Sequence, residues 1–111
     1  MRIAAQIDRN QPEIVSALRR VGCSVEPLHR VGGGVPDLLV GTGGVNYLIE
    51  VKDGSKPPSA RALTADQVVW HRDWRGQRVI VESVEDALAA VGLRRLGAAG
   101  WISGGYGNGK A

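Results

Sequence analysis

The chain is nearly without cysteine: Cys23 stands alone in 111 residues. That excludes an intrachain disulfide, a cysteine-rich zinc site and a dithiol redox pair, and it fits a reducing compartment. Long apolar runs are missing too, since none approaches the roughly 20 residues needed to cross a bilayer. Near the amino terminus Gln6, Asp8 and Arg9 follow only a few apolar residues, without the long apolar segment of a secretory signal. The expected location is therefore cytoplasmic, with no membrane partner. No Ser-His-Asp arrangement, HExxH metal motif or internal repeat is visible. Gly104, Gly109 and Lys110 satisfy most of a phosphate-binding loop, but Ala111 stands where Ser or Thr is required, so no nucleotide cofactor is expected.

What is present bounds the answer further. A chain of this length carries a single domain with one modest core. Fourteen Lys and Arg against eleven Asp and Glu give a net charge of +3, which is compatible with a nucleic-acid partner and argues against an acidic, substrate-repelling surface.

Taken in order, Asn10, Gln11, Pro12 and Glu13 form a helix start, with Ile14, Leu18 and Val21 recurring at helical spacing and Gly22 as the stop. Glu13 reads as a capping-box residue on the Asn10 backbone. Cys23 to His29 reads as a strand, and Pro27 within it suggests a sheet edge or a bulge. Gly32, Gly33 and Gly34 allow a tight turn, and also the close approach of a phosphate backbone. Thr64 to Gln67 make a second helix start with capping-box spacing, and Gln67, Trp70, His71 and Trp74 then share one stripe, a packing face with polar edges. Val79 to Val81 form a last strand, and a helix capped by Ser83 runs through Ala87, Leu88 and Val91 to Gly92. The succession α-β-β-β-α-β-α predicts an α/β fold, a mixed sheet flanked by helices, over residues 1–96. From Leu93 onward the pattern decays, and residues 97–111 read as a Gly-rich flexible tail; Arg94, Arg95, Trp101 and Tyr106 in this stretch are available to DNA or a partner.

The chemistry concentrates between Val35 and Asp53, VPDLLVGTGGVNYLIEVKD. Two apolar strands joined through Gly41 to Gly44 carry charges where burial is expected. Residues two apart on a strand share a face, so Glu50 and Lys52 project together with Leu48, while Ile49 and Val51 project oppositely. Asp53 points away from Lys52. The hairpin can bring Asp37 alongside Glu50, and two adjacent carboxylates are costly to bury unless a divalent cation or Lys52 compensates them. On residues alone, a structural ion pair between Lys52 and either acid stays open. The following loop, GSKPPSARAL, places Lys56 and Arg61 beside the site, as grips for a phosphodiester backbone or as a solvated connector.

Pro36 and Asp37, followed by Glu50, Val51 and Lys52, resemble the signature of the PD-(D/E)xK nuclease superfamily. The flanking GGGVPDLLVG and LIEVKDGSKPPS are similar to its VRR-NUC and phage or archaeal Holliday-junction-resolvase branches. The resemblance covers roughly residues 8 to 92 and implies a restriction-endonuclease-like fold. It implies Asp37, Glu50 and Lys52 as catalytic residues, with Gln67 touching substrate or the water of a bound metal. It further implies Asp37, Glu50, the Val51 carbonyl and Glu13 as holders of Mg²⁺, with Mn²⁺ able to substitute. Setting those three acids aside leaves eight against fourteen basic residues. The expected activity is metal-dependent cleavage of branched DNA by a homodimer. The alternatives are a flap- or nick-directed nuclease of the VRR-NUC kind and a non-catalytic DNA-binding module that retains the fold.

Overall fold

The computed structural model describes residues 7–95 and 101–103. Helix α1 (Gln11–Arg20) is followed by strands β1 (Ser24–Pro27), β2 (Leu38–Thr42) and β3 (Val45–Val51). A one-turn helix α2 (Pro58–Arg61) and the longer α3 (Ala65–Asp73) lead to β4 (Val79–Val81), α4 (Val84–Ala90) and a small hairpin of β5 (Leu93–Arg95) and β6 (Trp101–Ser103). The main sheet has the order β1-β2-β3-β4. Its first three strands run antiparallel and β4 joins β3 in parallel, so the sheet is mixed and the fold is α/β.

The β2–β3 hairpin turns on Gly43 and Gly44, both at positive φ (58° and 80°), as a two-residue turn matched to strand twist requires. This fixes the register Leu38↔Ile49 and Val40↔Tyr47. Those four residues, with Val51 and Val81, face one way and meet Ile14 and Leu18 of α1 and Ala87 and Leu88 of α4 in a continuous core. Each fully buried Leu, Ile or Val there contributes about 1.5–3 kcal/mol. The capping serine of α4 is in place, its side chain accepting Asp86 N–H.

Three features differ from the sequence reading. The Asn10 side chain does not cap α1. Instead its Nδ2 donates to the Lys52 and Glu82 carbonyls (3.1 and 3.3 Å), bridging the ends of two parallel strands. The loop after Asp53 contains α2, in which Pro58 takes a first-turn position that suits its fixed φ. Finally, Trp101–Ser103, within the stretch expected to be a flexible tail, pairs with Leu93–Arg95. Glycine content hid the short β6 strand; residues 104–111, and Tyr106 with them, lie outside the described residues. Among the described residues, no helix is long and apolar enough to cross a membrane.

Candidate active site

Strand alternation does what the spacing predicts. With Ile49 and Val51 committed to the core, Glu50 and Lys52 emerge on the opposite face, at the end of β3. Asp37 arrives just ahead of β2, behind a fully buried Pro36. Its Oδ2 accepts the Val51 backbone N–H at 2.7 Å, and its own carbonyl accepts Leu28 N–H at 2.7 Å. All three charged residues are buried: Asp37 is 6%, Glu50 1% and Lys52 8% exposed.

Helix α3 closes this face through Gln67 and His71. Thr64 and Gln67 form the capping box, with the Thr64 side chain accepting Gln67 N–H while Gln67 Oε1 accepts Thr64 N–H at 2.9 Å. The same Oε1 accepts from Lys52 Nζ at 2.9 Å, and Gln67 Nε2 donates to Glu50 Oε2 at 2.9 Å. One side chain thus caps a helix and sets the spacing between an acid and a base, which stand 3.9 Å apart. Gly34 lets the glycine loop lie against the start of this helix. It sits at φ 87°, and a Cβ there would come within 2.4 Å of the Asp66 carbonyl oxygen.

The electrostatics are those of a crowded carboxylate pair. Burial, then the neighbouring Asp37 charge, pushes the Glu50 carboxyl up to about 9, with Lys52 opposing the rise. Asp37 is also raised, by burial first, against the lowering effect of the Val51 N–H. Both carboxyls are thus held toward the protonated form, Glu50 the more strongly. Glu50 Oε1 and His71 Nε2 face each other at 3.9 Å, both buried and neither with a hydrogen-bond partner. Burial holds His71 below its ordinary range, so the imidazole is neutral.

A cleft of about 470 Å³ opens onto Asp37, Glu50, Lys52 and Gln67, with the Gly32–Gly34 loop as one wall and Lys56 at the rim. Of the residues the sequence singled out, these are brought together. Glu13 is not. It is exposed and lines a separate cleft of about 580 Å³ with Arg9, Asn10, Asp53 and Glu82. The reason is that α1 covers the core face of the sheet, whereas Glu50 and Lys52 leave from the other. Nor is the Asn10–Glu13 capping box formed: Asn10 itself has helical φ and ψ (−85° and −2°), its Oδ1 caps nothing, and its Nδ2 is turned to the strand ends. Arg61 is also diverted: its guanidinium pairs with Glu82 (3.1 and 3.2 Å) and bonds the Lys56 carbonyl. Asp53 turns away from Lys52, as its parity predicts, and binds Ser55.

In Glu13's stead the cleft contains Asp8, which adds negative potential to both Asp37 and Glu50 and lies 3.8 Å from Lys56 Nζ. Its only sequence signal was an acid shortly before a helix start. Among the described residues, no three His, Cys, Asp or Glu side chains gather closely enough to hold a metal ion unaided. A hard cation that keeps several waters nevertheless fits these donors: a repelling carboxylate pair and a buried Glu50 oxygen that accepts no hydrogen bond. No family model matches the chain, and no curated protein or solved structure matches it significantly. The chemistry of the site rests on its own geometry.

Proposed function

We propose that this protein is a divalent-metal-dependent DNA endonuclease of restriction-endonuclease-like fold, acting on branched DNA. The observation that carries the reading is the burial of Asp37 and Glu50 side by side with Lys52 at the mouth of an open cleft. A purely structural ion pair does not account for it: one lysine faces two buried acids, so one acid is left without a compensating charge. A mixed sheet with the acids on the face opposite α1 and α4 also supports the fold assignment.

Asp37, Glu50 and the Val51 carbonyl would hold Mg²⁺ or Mn²⁺, with water completing the set. Once bound, such an ion polarises a phosphodiester, lowers the pKa of water and stabilises a leaving oxygen. The chain's own residues supply the rest. Lys52, tethered by Gln67, presents an ammonium to the charge that builds on the phosphate. Gln67 fixes that ammonium relative to Glu50, and Lys56 at the rim attracts the DNA backbone. A symmetric four-way junction needs two coordinated cuts, so this reading entails a homodimer.

The test is cleavage of labelled four-way junction, flap, single-stranded and linear duplex DNA, with Mg²⁺, with Mn²⁺ and with chelator. Metal-dependent cutting that disappears in Asp37→Asn is expected. Full activity in that variant, or no cutting of any DNA, overturns the assignment.

A further inference from the structure

Trp70 and Trp74 lie one helical turn apart, their rings stacked with centroids 4.8 Å apart and planes 16° from parallel. Trp70 also meets His71 edge-on at 5.5 Å, and His71 faces Glu50. A chain of rings thus leads from the buried carboxylate out to the surface. At its outer end Trp74 is 45% exposed, flanked along α3 by the exposed Val69. The indole is held in place: a Cβ on Gly76 would meet Trp74 Nε1 at 2.9 Å, so the ring lies against that glycine. Beside the pair runs a groove of about 310 Å³ lined by Gly33, Asp66, Val69, Trp70, Asp73 and Trp74. Gly33 and Asp66 belong equally to the cleft that contains Asp37 and Glu50. Groove and cleft share a wall.

We propose that this groove is a stacking subsite for one unpaired nucleobase, part of a DNA strand whose phosphates enter the adjoining cleft. The inference rests on the nuclease reading and narrows its substrate class. Ordered, exposed indoles are surfaces on which single-stranded bases stack without regard to sequence. The groove is at the small end of ligand pockets, with room for a base and not for a duplex. Asp66 and Asp73 on its rim disfavour phosphate, which separates it from the Lys56 side of the cleft, while a carboxylate accepts from the N–H groups of bases, the thymine imide included. Asp73 is itself paired with Arg72 at 2.8 Å, so the negative charge of the rim is chiefly that of Asp66. A paired base inside a duplex has both faces covered, and only an unpaired one reaches this shelf.

The experiment uses the full chain carrying Asp37→Asn, so that DNA is bound without being cut. Anisotropy of a fluorescein-labelled oligothymidylate and of a fully paired duplex of equal length is measured with and without Trp74→Ala. The expected loss is about tenfold for the single strand, the size of one base–aromatic stack, against less than about twofold for the duplex, with Trp74→Phe recovering most of it. Equal loss on both DNAs, no loss on either, or an oligothymidylate that the parent protein does not bind overturns the subsite. Unchanged DNA binding with a shift from dimer to monomer assigns the face to a second copy instead. Failure of the nuclease reading is seen separately, as absence of cutting by the wild-type chain, and leaves the binding comparison readable.

Discussion

The Asp37 carboxylate and the Val51 backbone N–H meet at 2.7 Å in the buried interior of the hairpin. The proposed metal ligand is therefore also a fastener between β3 and the segment entering β2. Chemistry and folding at this position separate only if the substitution keeps an acceptor.

Asp37→Asn retains an oxygen for Val51 and removes one charge of a repelling pair. It should abolish cleavage while leaving the thermal midpoint equal to or above that of the wild type. Asp37→Ala leaves a buried N–H unpaired and should lose about 1–3 kcal/mol, read by urea denaturation. Equal stability of the two variants would remove the structural role.

Glu50 gives the protein a pH dependence of definite sign. Its folded-state value of about 9 lies above the ordinary carboxyl value of 4.5, so between the two the folded chain keeps a proton that the unfolded chain has lost. That stability is present at low pH and disappears as pH rises through the window. His71 acts oppositely, but only below its ordinary range. In chelator, the unfolding free energy should fall as pH rises from about 7 to about 9, by at most about 1.4 kcal/mol per pH unit. Glu50→Gln should flatten the curve, and Mg²⁺ should offset the fall by binding the deprotonated pair.

Gln67 carries two loads, a helix cap and the Glu50–Lys52 spacing. Gln67→Ala should cost about 1–2 kcal/mol by loss of the capping box and the buried bonds, and slow cleavage about 10- to 100-fold, the range seen when a group that orients metal ligands is removed. A variant with lower stability but unchanged kcat would confine Gln67 to the cap.

Asp8 and Glu13 make a paired comparison. Asp8→Asn should weaken Mg²⁺ binding severalfold by isothermal titration, because its charge acts on both carboxylates of the cleft. Glu13→Gln should leave that affinity unchanged. The opposite pattern would restore Glu13 to the metal site.

The glycine loop offers a purely steric test. Gly33 and Gly34 are both at positive φ (67° and 87°), so alanine strains either, by about 1–2 kcal/mol. Only at Gly34 does the added carbon also strike the α3 backbone, whereas at Gly33 it meets open space. Gly34→Ala should be the more destabilising, measured as the difference in urea midpoint.

Much of this arrangement could be read from local rules. Period-two alternation placed Glu50 and Lys52 together, turn chemistry placed the hairpin, and the Thr64–Gln67 spacing placed the third helix. What escaped were long-range facts. Glu13 sits at a plausible distance along the chain, but only the packing of α1 on the core face decides that it looks elsewhere. Arg61 has the right charge, and Glu82, twenty-one residues on, claims it. Asp8 lacks any periodicity that could mark it. Trp74 reads like a packing residue, because a helix stripe does not reveal which of its members the fold leaves uncovered.

The Asn10 bridge has a mechanical consequence. The Lys52 backbone is tied on both sides of its Cα, its N–H to the Val81 carbonyl at 2.9 Å and its carbonyl to Asn10. The floor of the cleft is thus a fixed bench, and under the proposed nuclease function adaptation to branched DNA would fall to the exposed segment from Gly54 to Ala60, which carries Lys56. A vice with one stationary jaw grips objects of different widths without losing its reference edge.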